Sequence, residues 1–297
     1  MVAYATMHCP ALTSPNREEK LMKKITIVTD EFELRILSGF IDTLRWWLFR
    51  FLVFTLHLRW AFEPDRYDIN PNIDILNIGI ESLLDNRKLV AGMRLIAPKK
   101  LEDTMTFNLS CFSNLFYDLV TNKQVFLAHR ELWLEVTRLA VADKSNGTTL
   151  IDLLFNGVYM AAAANARPYL LLVTNTTLKR WLDRYGLVYK TVGVGWFVPA
   201  NSDERKRYGE RVPHYVMLIS LPLTVANLVN EIRDRFHTNF NLDGVDTYTW
   251  PESHEEFWKS VEAVPQEQLE QFLIEARQQR YRSKSSLVVE TNVAASG

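Results

Sequence analysis

The stretch Leu132–Val141 (LWLEVTRLAV) constrains the fold more than any other part of the chain. It is apolar on both faces except at Glu135, Thr137 and Arg138. A strand of this kind needs cover above and below, so it belongs at the centre of a sheet with helices on either side. Charged side chains inside such a strand are costly unless each has a partner or a ligand. Glu135 and Arg138 stand three positions apart, and odd separations point to opposite faces of a regular strand. They diverge unless a β-bulge lies between them.

Other segments supply neighbours for this strand. Lys24–Thr29 (KITIVT), Ile73–Ile80 (IDILNIGI), Lys88–Ala97 (KLVAGMRLIA), Pro168–Thr174 (PYLLLVT), Leu187–Trp196 and His214–Leu221 read as strands. Asp85-Asn86 makes a hairpin turn between the second and third of these. Helices are expected from Phe32 to His57 with Asp30 as cap, near Leu115–Val120, and from Thr148 to Asn165. Three more are expected: from a cap at Thr174 or Asn175 to Gly186, from Thr224 to His237, and from Pro265 to Arg282. The first helix is apolar over a wide arc, so burial on more than one side is expected. The fold class is α/β: a three-layer sandwich, a mixed central sheet with helices on both faces. Residues 1–23 read as a flexible N-terminal arm, 24–240 as the α/β domain, and 241–297 as a helical extension with a disordered tail. The charged insertion 200–213 reads as a solvated loop.

Composition narrows the partners. The formal net charge is −1, which gives no reason to expect nucleic acid or an anionic membrane. Two cysteines, Cys9 and Cys111, far apart and outside any CxxC, read as free thiols of a reducing cytosol. The apolar run Ile36–Phe62 contains Asp42, Arg45, Arg50, His57 and Arg59, which makes it unsuited to span a bilayer. A glycine-rich phosphate loop, a Gly-x-Ser-x-Gly elbow and metal-ligand spacing among the six histidines are all absent from the sequence. The chain is expected to be cytoplasmic, without metal or cofactor.

One segment gathers unusual chemistry. From Arg50 through Phe54 and Trp60 to Asp65 and Asp68, an apolar helix carries a cation, passes an indole and ends in paired carboxylates. Arg94 interrupts a later strand in the same way as Glu135 and Arg138. Two readings stay open. The charges form an internal ion-pair network, with Arg50, Arg94 and Arg138 against Asp65, Asp68 and Glu135. Alternatively they hold a zwitterionic ligand, acids on its cation and arginines on its carboxylate, with Trp60 and Phe54 facing an aromatic ring or a sulfonium. A carboxyl group in an apolar strand also suits a general base for an amine.

These residues, in this order, resemble the acyl-homoserine-lactone synthases, the LuxI-type autoinducer synthases. That family carries Arg-x-x-x-Phe, Trp, Asp-x-x-Asp, an arginine on a strand, and Glu-x-x-Arg. Here they stand as Arg50 and Phe54, Trp60, Asp65 and Asp68, Arg94 in GMRLIAP, and Glu135 with Arg138. The resemblance covers roughly Ile25 to Leu221. The chain departs from the family in a shorter Trp60–Asp65 loop, in Leu187 where many members have Trp, and in the insertion 200–213.

The resemblance implies a GNAT-like sandwich and a quorum-sensing acyltransferase. S-adenosylmethionine is a substrate rather than a cofactor, and acyl carrier protein, or acyl-CoA as in some relatives, brings the acyl chain. Glu135, Arg138 and Arg94 become the catalytic set, and Arg50, Phe54, Trp60, Asp65 and Asp68 the S-adenosylmethionine pocket. Met105, Phe107, Phe112, Met160, Leu171 and Thr174 are candidates for the acyl site. Leu171 occupies the position that reads oxygen on the acyl chain's third carbon, and an apolar residue there favours an unsubstituted chain. Lys179, Arg180 and Arg184 form a candidate docking face for an acidic carrier, or a solvated helix face. The runner-up is another N-acyltransferase on this scaffold, such as a long-chain N-acyl amino acid synthase; a third reading is a non-catalytic, ligand-binding member.

Overall fold

Period-two alternation of apolar residues sets out the sheet in a computed structural model of the chain. The structure describes residues 4–6, 26–57, 74–100, 104, 106–107, 119–142, 146–184, 186–197, 212–224 and 250–278. Among these, nine strands form one sheet: β1 (Tyr4–Thr6), β2 (Thr26–Val28), β3 (Phe32–Leu37), β4 (Asp74–Ser82), β5 (Leu89–Ala97), β6 (Trp133–Val141), β7 (Tyr169–Asn175), β8 (Tyr189–Phe197) and β9 (Val212–Ser220). Their order in space is β1-β2-β3-β4-β5-β6-β7-β9-β8. Every adjacent pair is antiparallel except β6 with β7. The helix α3 (Gly147–Ala164) makes the crossover that a parallel pair requires.

Helices cover both faces, as expected for a three-layer sandwich. On one face α3, α4 (Thr176–Arg184) and α6 (residues 266–278) bury Leu34, Ile78, Met93, Val136 and Leu172. On the other, α1 (Gly39–Phe51) places Trp46 and Phe49 over Leu89 and Ala140. That face continues with α2 (Leu119–Ala128) and α5 (His254–Ser260), whose Phe126 and Phe257 pack on Trp133, Tyr169 and Leu171. Among the described residues no helix is long and apolar enough to cross a membrane.

Several elements differ from expectation, each for a local reason. Phe32–Leu37 is a strand, not the start of a helix. Its Phe-Glu-Leu-Arg-Ile-Leu alternation pairs with β2 and β4 and turns Leu34 and Leu37 to opposite faces. Asp30 therefore caps nothing, and α1 begins only after Ser38, where Asp42 Oδ2 accepts the Ser38 backbone N–H at 3.1 Å. The helix then widens into a π-helical turn, Leu52–His57. Burial of α1 on more than one side does not occur: Trp46, Phe49 and Arg50 are covered, whereas Phe40 and Ile41 lie open. Tyr4–Thr6, inside the stretch read as an arm, pairs with β2. The helix expected near Leu115–Val120 runs from Leu119 to Ala128. The helix expected over Thr224–His237 falls almost wholly outside the described residues, as does nearly all of the 200–213 insertion.

The cap of α4 is where it was read: Asn175 Oδ1 accepts the N–H groups of Thr177 and Leu178, each at 3.0 Å. The C-terminal extension is knitted into the core. Val264 N–H donates to Thr191 O at 2.8 Å, and the Lys190 ammonium donates to Val261 O at 2.8 Å and to Trp258 O. Asn122 exchanges two hydrogen bonds with the Glu262 backbone, both 2.8 Å. These contacts cover β8, an end strand of the sheet, whose open edge would otherwise invite another chain.

The approach of α1 to the sheet depends on Gly92. A Cβ there would overlap Cζ3 of Trp46, sit 2.9 Å from its Cη2 and 3.0 Å from Ile78 O. Gly92→Ala is expected to lower stability by about 1–3 kcal/mol through overpacking, measured as a reduced urea midpoint with unchanged m-value.

Candidate active site

The parallel ladder between β6 and β7 is short. Trp133–Val136 pair with Tyr169–Leu172, and there the ladder stops. Beyond that point β6 continues with β5 as far as Val141, and β7 continues with β9 as far as Asn175. The two strands therefore part, and a notch opens in the middle of the sheet.

A β-bulge accompanies the parting. Gly92 pairs with Ala140 and Arg94 with Thr137, so two steps along β5 face three along β6. Arg138 sits in the bulge with φ of 58°, in the left-handed region that arginine seldom adopts. The bulge resets the alternation, so Ala140 shares a face with Trp133, Glu135 and Thr137.

Register places the candidate groups in two adjacent rows on the face covered by α1 and α2. One row is Asn77, Arg94 and Thr137. The next is Ile96, Glu135 and Leu171. Glu135 and Arg94 are both buried. Glu135 Oε1 accepts the Thr106 backbone N–H at 2.6 Å and its hydroxyl at 2.5 Å. Arg94 Nε donates to Asn77 Oδ1 at 3.0 Å. Arg50 is buried on α1, its guanidinium carbon 5.7 Å from the centre of the Trp46 ring. Phe54 lies in the π-helical turn, which packs against β6, and joins the cluster of Trp46 and Phe49.

The structure thus brings Glu135, Arg94, Leu171 and Phe107 to one face, with Arg50 and Phe54 on the element that covers it. Met160 does not join them: it belongs to the core under α3, on the opposite face. Thr174 is buried in β7, its hydroxyl donating to Asn175 O at 3.2 Å. Trp60, Asp65, Asp68, Met105 and Phe112 lie outside the described residues. On α4 the three basic residues separate. Arg180 and Arg184 are exposed one turn apart. Lys179 instead turns inward, bonded to Asp183 at 3.0 Å and to the Tyr189 hydroxyl at 2.7 Å, because β8 brings that tyrosine to the helix.

Sequence reading missed three features. Thr106 supplies both described donors to Glu135 from a loop 29 residues away, which no local motif announces. His214 pairs with Asn175 at the end of β7; burial pushes its imidazole below the ordinary 6.5, against the opposing bond to Val212 O. The third is a charge network beneath the start of α1. Arg35 bonds both oxygens of Asp42 at 2.6 and 2.7 Å, and buried Glu81 Oε1 accepts from Arg35 at 2.8 Å and Arg45 at 2.7 Å.

No family model matches the sequence, and no curated protein matches it. Solved structures with a similar chain path include FeeM, an N-acyl amino acid synthase from uncultured soil microbes, at 14% identity and TM-score 0.45 over 66% of this chain and 93% of that one. TofI in a ternary complex with an inhibitor and MTA is 15% identical, with TM-score 0.44 over 67% and 96%. BjaI, a CoA-dependent acyl-homoserine lactone synthase with SAM and isopentyl-CoA, is also 15% identical, with TM-score 0.41 over 67% and 86%.

The network beneath α1 makes stability acid-sensitive. The bond from Arg35 holds the Asp42 carboxyl below its ordinary 3.8. Burial alone would raise Glu81, but the bonds from Arg35 and Arg45 outweigh it and hold it below 4.5. Carboxyls depressed in the folded state stabilise it above their ordinary values, and that stability is lost as pH falls through the depressed ones. Urea unfolding is therefore expected to take up protons below about pH 4.5, and Glu81→Gln to remove up to about one of them. An acid slope identical in the variant would refute the assignment.

Proposed function

We propose that this chain is an acyl-homoserine-lactone synthase. It joins an acyl group from a carrier-protein thioester to S-adenosylmethionine and closes a lactone. The observation that carries the reading is the burial of Glu135 and Arg94 on one face of the sheet, in adjacent rows, where β6 and β7 part. The Arg50–Asp68 motif set supplies the second substrate's expected contacts.

In this reading the acyl thioester lies along the notch. The amine nitrogen of S-adenosylmethionine attacks the thioester carbonyl, and Glu135 takes the proton directly or through a water. Backbone N–H groups beside the bulge stabilise the oxyanion. The C–S bond breaks, the carrier's sulfur leaves as a thiolate that takes up the proton released by the amine, and an amide remains. The substrate's own carboxylate oxygen then attacks its γ-carbon, forming the lactone and expelling neutral methylthioadenosine. Arg94 and Arg138 brace the carboxylate, with Arg50, Phe54, Trp60, Asp65 and Asp68 around the adenosine and sulfonium. Leu171, in register with Glu135, and nearby Phe107 offer an apolar bed for the acyl chain near the carbonyl. Arg180 and Arg184 are the candidates to meet an acidic carrier.

The direct assay is incubation with S-adenosylmethionine and a panel of acyl-carrier-protein and acyl-CoA thioesters, followed by mass spectrometry. Methylthioadenosine and an N-acyl homoserine lactone are expected in equal amounts. Acylation of a free amino acid without methylthioadenosine would establish the amino acid synthase instead. Glu135→Gln is expected to lower turnover about 10²–10⁴-fold with an unchanged unfolding midpoint; full activity in that variant would remove Glu135 from the mechanism. Beside apolar Leu171, acyl chains unsubstituted at the third carbon are expected to dominate the product profile, and a predominantly 3-oxo product would contradict that placement.

A further inference from the structure

The helix α1 presents an apolar stripe to the outside of the molecule. Phe40 is 83% exposed, Ile41 73%, Leu44 47% and Leu48 45%, and the stripe runs on to Phe51 and Leu52. The opposite side of the same helix already packs Trp46, Phe49 and Arg50 against the sheet. Among the described residues the outer side chains therefore add nothing to the core. Single exposed apolar residues are ordinary, but a continuous row along one helix marks an interaction surface.

The spacing of the row says what fits it. Ile41, Leu44, Leu48 and Phe51 follow one another at intervals of three, four and three residues. This is the seam by which one helix packs against another, knobs into holes. Leu44 and Leu48 stand at its middle, with Phe40 and Leu52 flanking its ends. A two-fold pairing of the stripe with itself sets Leu44 and Leu48 of one copy against the same residues of the other.

Size and charge agree with a second copy. Together the six side chains offer roughly 600 Å², so two copies would bury about 1,200 Å², the lower end of specific interfaces. The charges near the start of the helix are already matched: Arg45 with Asp42 and Glu81, Arg87 with Glu33 and Glu81, and Lys88 with Asp85. An anionic lipid surface needs a cationic excess, which the described residues of this rim do not provide. We propose that the protein forms a two-fold dimer through the outer face of Gly39–Phe51.

The test is sedimentation velocity on the full chain from about 0.5 to 50 μM, bracketing the micromolar affinity such an area supports. The expected species is twice the 34.5 kDa chain mass at the upper end. The double variant Leu44→Glu, Leu48→Glu is expected to weaken association about 100-fold while keeping the far-ultraviolet circular dichroism and unfolding midpoint of the wild type. Ile274→Glu, at an exposed apolar position on α6, is the control and should dimerise like the wild type. A wild type that stays monomeric at 50 μM overturns the proposal, and flotation of that monomer with phosphatidylglycerol vesicles would assign the stripe to lipid. A double variant that dimerises as tightly as the wild type overturns it as well, because the contact then lies elsewhere. If the double variant loses its fold, the milder pair Ile41→Ser, Leu44→Ser decides by the same criterion.

Discussion

The short parallel contact between β6 and β7 governs what the rest of the structure can do. Four residues on each strand pair, and then the strands separate because each has a longer commitment on its other side. A central strand that loses one neighbour partway along exposes its backbone in the middle of the sheet. The bulge at Arg138 sits at that point and turns the strand's alternation over. Everything proposed about chemistry follows from this local irregularity, since it gives a fully covered sheet a place where a ligand's backbone-like groups can pair.

Two buried polar systems lie on the same face. Beneath the start of α1, Arg35, Asp42, Arg45 and Glu81 satisfy one another with short, charge-assisted bonds. This network ties the helix to β3 and β4 and needs no ligand to explain it. Further along, Glu135 is held by a threonine and Arg94 by an asparagine. The close Trp46–Gly92 approach sets the depth of the helix, and the π-helical turn that follows it, with Phe54, packs against β6.

The C-terminal extension shows how coverage extends beyond the core sheet. Residues 250–278 reach both faces through Phe257 and Phe272, and hydrogen-bond to β8 between them. Stacking of Trp258 on Tyr169, with the Lys190 ammonium over the same indole, anchors that passage. Among the described residues the outer side of α1 receives no such cover.

Strand identity was legible from the chain alone wherever apolar residues alternate or run unbroken, as in β4, β5, β6 and β7. The cap at Asn175 and the turn at Asp85-Asn86 were legible too, because each depends on chemistry within a few residues. Counting positions along β6 gave only a condition, that Glu135 and Arg138 diverge unless a bulge lies between them; pairing with β5 is what shows the bulge. Phe32–Leu37 was misread because its apolar residues suit both a strand and the start of a helix, and only pairing with β2 and β4 chooses between them. Met160 and Leu171 looked alike in the sequence and fell on opposite faces, since a helix and a strand present side chains by different periods. Thr106 at Glu135, Tyr189 at Lys179 and Arg35 at Glu81 are contacts between distant segments. Local sequence determined most of the strands and the cap at Asn175, and which residues can carry charge or proton; only the tertiary structure decided Phe32–Leu37 and which of these residues meet, because burial forces polar groups to find partners wherever the sheet brings them.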